Sequence, residues 1–380
     1  MRTIIQIAPE IGPGTGVGGV AHHLEQEWSR QGHRVLRFTL DEAGASFIPR
    51  PQGRVSGRLA LLARVVWFST VGTARARRFV REHPGADSIC HNDALAGDVY
   101  VNHGLVRAAM KARGHYALRM VRNPLHLFTA VRDRRRYGST AHRVVVNLSA
   151  QDDRLLRSLN PRLVPATAVI ANGVDTDAYA PPTAADREAV RGSLGVAADE
   201  VLAIFVGHEY ARKGLDLVID ALDRCPATVR VVVVGGSPAM VESMRARPAA
   251  VRHAARITFV GASPDPRVWL RGADVLCLPS AYEASPLVVL EALAMGVPVI
   301  GTRTGSIADV VHDGVDGYLV DRSAEGVAAA LTSLTMADQS SLQAAARATA
   351  LEHSWSRVAA RYLDVFDQVG VAPPRTREPA

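Results

Sequence analysis

The stretch SAYEASPLVVLEALAMGVPVIGTRTGSIADVVHDGVDGYLVD, residues 280–321, decides the fold class of this chain. It follows the apolar run DVLCLP, residues 274–279, whose continuous apolar character is typical of a buried parallel strand. Pro286 and residues 287–294 after it predict a helix that opens with proline at its first position. A buried strand that leads into a helix is the repeating unit of an α/β fold with a parallel sheet.

Two carboxylates, Glu283 and Glu291, stand eight residues apart across this strand-to-helix junction. Glu283 precedes the predicted helix and Glu291 lies inside it, so both can face one polyhydroxyl ligand. Free amides near Leu287 and Val288, with the positive end of the helix dipole, would form an anion site beside them. The stretch therefore predicts a place where phosphate and sugar hydroxyls bind together. Either acid alone would be interpreted as a solvated residue on an ordinary amphipathic helix.

Residues 283–299, EASPLVVLEALAMGVPV, resemble the E-x7-E signature of the retaining glycosyltransferases with the GT-B fold, in the family-4 group. The family's typical sequence is EPFGLVVLEAMAxGxPVV, so Ser285 and Pro286 stand in place of Phe-Gly. Because proline has no amide, only later amides could contact a phosphate here. The resemblance implies an α/β chain of the GT-B type, with two Rossmann-like, doubly wound parallel-sheet domains that face each other across a cleft.

The resemblance also implies a role for each charged residue of the expected donor site. Glu291 would bind the ribose hydroxyls and Glu283 the hydroxyls of the sugar. In the turn GHEYARKG, residues 207–214, Arg212 and Lys213 resemble the family's paired cations that neutralise the donor diphosphate. Fixed cations can stabilise a leaving diphosphate without a metal, so neither a metal nor another cofactor is expected. The alternative for the two cations is a solvated pair before a helix.

Small residues and backbone amides complete the expected donor site. The donor-binding residues predicted besides Glu291 are Gly18, Gly19, Gly207, Gly261, Ser285, Leu287 and Val288. Residues 14–19 also satisfy the dinucleotide pattern G-x-G-x-x-G. A nicotinamide site is disfavoured, because several residues separate the end of the first strand from this pattern, whereas the dinucleotide fingerprint needs the turn directly after the strand.

His103, in the sequence YVNHG of residues 100–104, follows a predicted strand and precedes a glycine. It resembles the family's cleft histidine that contacts the transferred sugar, and is therefore a candidate catalytic residue with Arg212, Lys213 and Glu283. A lone histidine is more often structural. The position at the carboxyl end of a strand favours the functional interpretation.

Strands alternate with helices in both halves of the 380-residue chain, which suits two domains. Strands are predicted at residues 3–8, 34–40, 88–91, 99–102, 143–148, 167–170, 201–206, 229–234, 257–260, 275–278 and 297–301. The predicted division is an acceptor-side domain at 1–178, a nucleotide-sugar domain at 179–353, a helix at 354–371 that returns to the first domain, and a disordered tail at 372–380.

The net charge of +7 is unevenly divided along the chain. Residues 1–180 hold 25 Lys or Arg against 14 Asp or Glu, and residues 107–136 hold many of these cations among apolar side chains. Such a segment is attracted to an anionic membrane surface or acceptor, and Arg134, Arg135 and Arg136 are the predicted contacts. Nucleic acid is disfavoured because aromatic residues are sparse. An ordinary solvated basic face is the alternative.

The sequence lacks a signal-peptide pattern and any run of about 20 apolar residues, so a cytoplasmic protein, peripheral at the inner face of the membrane, is expected. Its three cysteines suggest neither a disulfide framework nor a zinc site. The predicted function is a retaining glycosyltransferase that moves a hexose from a nucleotide diphosphate sugar to a hydroxyl of a glycan or lipid-linked acceptor, giving an α-linkage. The alternatives are a nucleotide-sugar epimerase or phosphorylase on the same fold, and a non-catalytic protein that binds polyanions or membranes.

Overall fold

The computed structural model describes the chain except for residues 15, 52, 54, 55, 113, 115–121 and 372–380. The chain divides into two compact units. Unit 1 comprises Met1–Asn172 and the segment that begins at Trp355, and unit 2 comprises Gly173–Ser354. The boundaries expected from the sequence, after residues 178 and 353, differ slightly from these division points. The predicted disordered tail and part of the basic segment lie outside the described residues.

The described residues form twelve strands in two parallel sheets of six strands each. In unit 1 the strands are β1 Thr3–Ile7, β2 Arg34–Phe38, β3 Asp87–Cys90, β4 Val99–Asn102, β5 Val144–Asn147 and β6 Ala166–Val169, in the order β2-β1-β3-β4-β5-β6. In unit 2 they are β7 Val201–Val206, β8 Val229–Val234, β9 Ile257–Gly261, β10 Val275–Leu278, β11 Val299–Thr302 and β12 Gly317–Val320, in the order β12-β11-β10-β7-β8-β9.

Helices connect most of the successive parallel strands, while residues 91–98 join β3 to β4 without one. The helices described in unit 1 begin with α1 Val17–Arg30, α2 Ser56–Trp67, α3 Thr73–Glu82, α4 Val106–Ala112, α5 Pro124–Tyr137 and α6 Ala150–Leu159. Those of unit 2 are α7 Ala184–Ser193, α8 Tyr210–Lys213, α9 Leu215–Ala221, α10 Pro238–Arg245, α11 Pro248–Arg252, α12 Arg267–Leu270, α13 Leu287–Ala294, α14 Ile307–Val310, α15 Ala324–Met336 and α16 Gln339–Glu352. The last helix, α17 Trp355–Val371, belongs to unit 1.

The central strands of each sheet are buried on both faces, which is why they are almost continuously apolar. In β7, Ala203, Ile204 and Phe205 have no exposed surface. In unit 1, α17 packs on α1, where the Trp28 indole N–H donates to the Ala359 carbonyl over 3.2 Å and its ring lies 5.9 Å from that of Phe366. This packing buries the apolar face of the C-terminal helix.

The strand order reverses direction once in each sheet, between β1 and β3 in unit 1 and between β7 and β10 in unit 2. Connections leave such a switch point toward opposite faces of the sheet, so a crevice opens beyond the carboxyl ends of the two strands. Ligands of doubly wound proteins bind there. A ligand site in unit 2 is therefore expected in the segments that follow β7 and β10.

Candidate functional site

The turn after β7 carries Arg212 and Lys213 on α8, a single helical turn. The shape of this turn depends on close contacts that only glycine, which has no side chain, permits. A Cβ on Gly207 would lie 2.3 Å from Lys213 Cδ, so glycine lets the lysine chain pass over the end of β7. The Tyr210 hydroxyl donates to the Gly235 carbonyl over 2.6 Å and ties the turn to the end of β8. The two cations are thus placed at the switch point.

Glu283, which follows β10, is the acidic centre of this cluster and is 7% exposed. Its Oε1 accepts from Lys213 Nζ over 2.9 Å and from Ser280 Oγ over 3.0 Å. Arg212 Nη1 lies 3.0 Å from the same oxygen. The structure therefore brings together three of the four residues that the sequence predicted as catalytic.

The cluster keeps hydrogen-bonding capacity that its members do not use. Among the described residues, none donates a hydrogen bond to Glu283 Oε2, and Lys213 Nζ donates only to Glu283. Arg212 uses Nε for Glu209 and Nη1 for Glu283 and the Tyr282 carbonyl, while its Nη2 has no partner in the described part of the chain. Cations with spare donors at a switch point can bind an anionic ligand.

The segment after β11 packs against the backbone of Glu283 and fixes its position. Gly305, at a φ of 52°, leaves so little room that an added Cβ would lie 2.0 Å from the Glu283 carbonyl oxygen. The Ser306 amide donates to the Ala284 carbonyl over 2.8 Å, and Ser306 Oγ lies 3.0 Å from Ser285 Oγ. Ser285 is thus buried beside Ser306, and a contact with the donor stays a prediction.

The helix predicted after β10 is present as α13, but it begins at Leu287 and not at Pro286 as expected, and no side chain caps it. Pro286, the residue before it, has extended backbone angles. The first amides of a helix have no intrahelical acceptor, so those of Leu287 and Val288 remain available to an anion. Gly261 ends β9 at a φ of 77°, and its carbonyl accepts from the Gly235 amide over 2.6 Å. Both features lie within unit 2.

Glu291 lies on α13, one turn beyond those amides. Burial raises the pKa of Glu291 to about 7, against the smaller opposing effects of the nearby Tyr179 and Arg267. Asp265, nearby, acts in the same direction as burial. At neutral pH this carboxyl group is therefore balanced between its neutral and ionised forms.

Gly18 and Gly19 lie in the first turn of α1, where the loop after β1 folds back on the helix. A Cβ on Gly18 would lie 2.9 Å from the Glu10 carbonyl oxygen, and one on Gly19 only 1.9 Å from the Gly14 carbonyl oxygen. The space beside both glycines is therefore filled by the loop itself. This packing explains the two glycines, and a contact with the donor stays a prediction.

His103 follows β4 in unit 1 and lies beside His91, a fully buried histidine that was not predicted from the sequence. The rings of His91 and His103 are 5.8 Å apart. Gln6 Oε1 accepts from His91 Nε2 over 2.8 Å, while the Gln6 amide donates to the Ala21 carbonyl over 2.9 Å, which fixes the His91 tautomer. His91 Nδ1 and His103 Nε2 are buried without a partner among the described residues. Burial lowers the pKa of His103 to about 4, so this imidazole is neutral at pH 7.

Helix α5 carries the cations predicted to face an acceptor or membrane, and one of them was assigned wrongly. Arg136 has no exposed surface. Its guanidinium carbon lies 3.8 Å from the centre of the Tyr100 ring, Nη2 donates to the Ala94 carbonyl, and Nη1 pairs with Asp133 over 2.8 Å. Arg136 is therefore an internal residue of unit 1 that cannot reach an outside surface.

The opposite face of α5 is exposed and amphipathic. Leu127 is 58% exposed and Val131 is 57% exposed, and Arg134 and Arg135 are exposed as well. Positions 127, 131, 134 and 135 have the spacing of one helical face. The structure thus retains two of the three predicted cations on the surface and places two apolar side chains beside them. None of the helices in the described part of the chain combines the length and apolar character that crossing a membrane requires.

Several residues of the site were missed from the sequence. Ser280 has a local signal, because it precedes Glu283 by three residues in the quoted stretch. Tyr179, His91 and Gln6 have none, since their contacts join residues far apart in the chain. Among the described side chains, His, Cys, Asp and Glu form no group of three or more that could hold a metal ion.

Residues 200–336 match the family model of glycosyl transferases group 1. This range contains Arg212, Lys213, Glu283 and Glu291 and most of unit 2, so unit 2 is similar to a glycosyl transferases group 1 domain.

Curated relatives match a longer part of the chain. A D-inositol 3-phosphate glycosyltransferase of Xylanimonas cellulosilytica is 35% identical over 218 residues, which cover 53% of this chain and 51% of the relative. An alpha-maltose-1-phosphate synthase of Mycobacterium tuberculosis is 30% identical over 250 residues, covering 60% of this chain and 64% of the relative. The chain spans about half the length of the inositol phosphate relative.

Solved structures match nearly the whole chain. A crystal structure of WaaG, a glycosyltransferase involved in lipopolysaccharide biosynthesis, superposes with a TM-score of 0.70 at 20% identity, covering 96% of this chain and 99% of that one. Anabaena HepE in complex with UDP and glucose gives a TM-score of 0.65 at 19% identity, with 97% and 100% covered. These likenesses confirm the predicted fold class, a GT-B fold with two parallel α/β sheets.

Proposed function

We propose that this chain is a retaining glycosyltransferase that moves a hexose from a nucleotide diphosphate sugar to an acceptor hydroxyl without a metal ion. The observation that carries the proposal is the cluster of Arg212, Lys213 and Glu283 at the switch point of unit 2, inside the range that matches glycosyl transferases group 1. A switch point with two cations suits a phosphate-bearing ligand.

The chemistry requires positive charge where the leaving group develops negative charge. As the bond between the sugar and the diphosphate breaks, the diphosphate oxygens gain charge, and Arg212 and Lys213 would stabilise it with their unused N–H donors. The amides of Leu287 and Val288 would add neutral donors at the start of α13. Loss of one such preorganised donor typically costs about 3 to 4 kcal/mol of transition-state stabilisation.

The other predicted residues are proposed to bind the ribose and the sugar. Glu291 would accept from the ribose hydroxyls, and the unused Oε2 of Glu283 would accept from the sugar. His103 would orient the sugar as a neutral imidazole, since burial keeps its pKa near 4. Unlike a cationic side chain, a neutral ring can accept a hydrogen bond from a sugar hydroxyl.

The acceptor is proposed to be a hydroxyl of a glycan or of a lipid-linked molecule. The exposed face of α5, with Leu127, Val131, Arg134 and Arg135, supports attachment to the surface of an anionic membrane, because apolar and cationic side chains stand side by side. The names of two relatives contain a phosphorylated polyol or sugar. Phosphorylated small molecules are therefore further candidate acceptors beside glycans.

A donor-hydrolysis assay over a panel of UDP-, GDP- and ADP-linked sugars tests the proposal. Release of nucleotide diphosphate from one donor, with the free sugar or glycoside in the anomeric configuration of the donor, is the expected result. A matched assay with the Arg212→Ala, Lys213→Ala double variant shows whether the release belongs to this site. Absence of release and of binding for every donor in the panel would refute the proposal, and inverted products would refute the retaining mechanism alone.

A further inference from the structure

Unit 1 contains an apolar pocket of about 420 Å³ between α2 and the loop that follows β2. It is lined by residues 47–49 of the loop and, on the helical side, by Ala63, Val66, Trp67 and Thr70. Positions 63, 66, 67 and 70 have the spacing of one helical face. Phe47 is 69% exposed, so the loop side of the pocket meets the solvent.

Hydrogen bonds hold this loop against the helix. The Trp67 indole N–H donates to the Ala43 carbonyl over 2.9 Å, and Arg64 Nη1 donates to the Ile48 carbonyl over 3.4 Å. The rings of Phe47 and Trp67 meet edge to face, with their centres 5.1 Å apart. The two sides of the pocket are therefore fixed relative to each other before a ligand binds.

The side chains that line the pocket have no unused N–H or O–H group. Only Trp67 and Thr70 carry such a group. The Trp67 indole N–H is used by the Ala43 carbonyl, and the Thr70 hydroxyl donates to the Val66 carbonyl over 2.7 Å. A sugar or a nucleotide would lose its hydrogen bonds to water here without replacement, whereas a hydrocarbon chain gains from burial. The pocket therefore suits an apolar ligand group.

Positive charge accompanies this apolar surface. Residues 41–82 hold eight arginines against three acids. Arg50, which follows the loop residue Pro49, is 82% exposed, and its Nε lies 4.0 Å from Glu10 Oε1. The same oxygen accepts from Arg64 Nη2. In the described part of the chain, these two cations beside the pocket thus share one carboxylate. An anionic group next to a hydrocarbon chain complements this arrangement.

We propose that this pocket binds the hydrocarbon chain of an anionic amphiphile, such as an alkyl phosphate, with its anionic group at Arg50 and Arg64. Binding requires neither a sugar donor nor turnover, so the site goes beyond the proposed function and is tested independently of it. One consequence does rest on the proposed function: if the chain is a transferase, the pocket selects lipid-linked acceptors over free glycans.

Titration calorimetry of the full chain with hexyl, octyl and decyl phosphate, each below its critical micelle concentration and without donor, tests the proposal. Affinity should rise by up to about fourfold for each methylene that enters the pocket. Octyl trimethylammonium has the same chain as octyl phosphate but a cationic head, and should bind roughly tenfold more weakly.

Variants of α2 locate the bound chain. Ala63→Phe fills the pocket and should weaken the binding of decyl phosphate by roughly tenfold or more. Leu61→Phe places the same ring on α2 at a residue that is 43% exposed and does not line the pocket, and should bind as the wild type does. Urea unfolding shows whether both variants are folded.

Arg50→Gln tests the charge at an exposed side chain, where folding is not at risk. It should weaken the binding of octyl phosphate by roughly threefold to tenfold and leave that of octyl glucoside, a neutral amphiphile, unchanged.

Equal affinity for hexyl and decyl phosphate would overturn the proposal, because the arginines alone would then bind the head group. Undiminished binding in folded Ala63→Phe would also overturn it, since the chain would then bind elsewhere. The same holds if Arg50→Gln binds octyl phosphate like the wild type, or if octyl trimethylammonium binds as tightly. A dimer that sedimentation detects in the wild type and not in Ala63→Phe would show that a second copy covers the pocket instead. None of these results bears on the transferase proposal.

Discussion

Lys213 Nζ donates to Glu283 Oε1 over 2.9 Å, although the two residues are 70 positions apart in the chain. They meet because β7 and β10 are neighbours in the sheet and each residue lies in the segment after its strand. Both side chains are largely buried, at 14% and 9% exposed. A buried carboxylate that holds two cations keeps them in place before a ligand arrives, and its loss leaves both without this counter-charge.

Glu283→Gln is expected to destabilise the protein without weakening its affinity for nucleotide. Loss of the charge should lower the free energy of unfolding by roughly 1 to 3 kcal/mol, because Arg212 and Lys213 stay buried beside a neutral group. Affinity for free nucleotide diphosphate should be kept or raised, since the diphosphate no longer competes with the carboxylate. Glu291→Ala should instead weaken free nucleotide and donor alike.

Urea unfolding and calorimetric titration check this expectation, with Glu325→Gln as the control. Glu325 forms an exposed pair with Arg224, whose side chains are 64% and 52% exposed, and such a pair contributes less than about 1 kcal/mol. Equal losses of nucleotide affinity in Glu283→Gln and Glu291→Ala would contradict the proposed division of roles.

Acid should destabilise unit 1 through its buried histidines, of which His142 gives the clearest test. Burial, and to a lesser extent Arg136, lowers the pKa of His142 to about 3. The folded pKa lies below the unfolded value of about 6.5, so the unfolded state takes up the proton first and stability falls as the pH drops below that value. Between about pH 7 and about pH 5 this residue should remove about 2 kcal/mol.

The difference between wild type and His142→Gln isolates this contribution, because other groups, among them Glu291 with the opposite sign, cancel. Urea unfolding at the two pH values should show a smaller acid loss in the variant by about the same amount. Equal acid losses in the two proteins would mean that His142 is not held neutral by burial.

Membrane attachment is expected to need the exposed face of α5. Vesicles with anionic lipid should carry the protein in a flotation experiment at low salt, and neutralising Arg134 and Arg135 to Gln should weaken this binding by about 1 kcal/mol per cation. Neutralising Arg245 and Arg271, exposed arginines of unit 2, changes the net charge equally and should have little effect. Arg136 is left intact because it is buried.

Wild-type protein that stays unbound with anionic vesicles at low salt would contradict attachment, and the transferase proposal would be unaffected. Equal losses of binding in the two double variants would show that general charge, not the α5 face, carries the attraction.

Buried parallel strands could be predicted well from this sequence, because they leave a continuous apolar pattern. β4, β7, β8 and β10 coincide with their predicted bounds. β12, Gly317–Val320, was missed, since four residues beginning with glycine give little signal without the neighbouring β11. Features that depend only on a short stretch of sequence could therefore be predicted, as with the carboxylate of Glu283 and the helix that follows it.

Contacts between distant residues could not be predicted in the same way. Arg136 was placed on the surface because arginine is usually exposed, but it lies seven positions after Thr129 on the buried face of α5. The Tyr100 ring and the Ala94 carbonyl that compensate its burial come from other segments. Tyr179 was missed for the same reason, because only the folded chain brings it to Glu291.

The turnover of Arg212→Ala and Lys213→Ala at saturating donor, measured with EDTA present, tests the central claim most directly. If these cations stabilise the departing diphosphate and no metal takes part, wild-type turnover should be insensitive to EDTA and each variant should lose roughly a hundredfold to a thousandfold. Arg245→Ala, on α10, serves as the control and should retain its activity. Near-normal turnover in either cation variant, with the variant shown to be folded, would contradict the account.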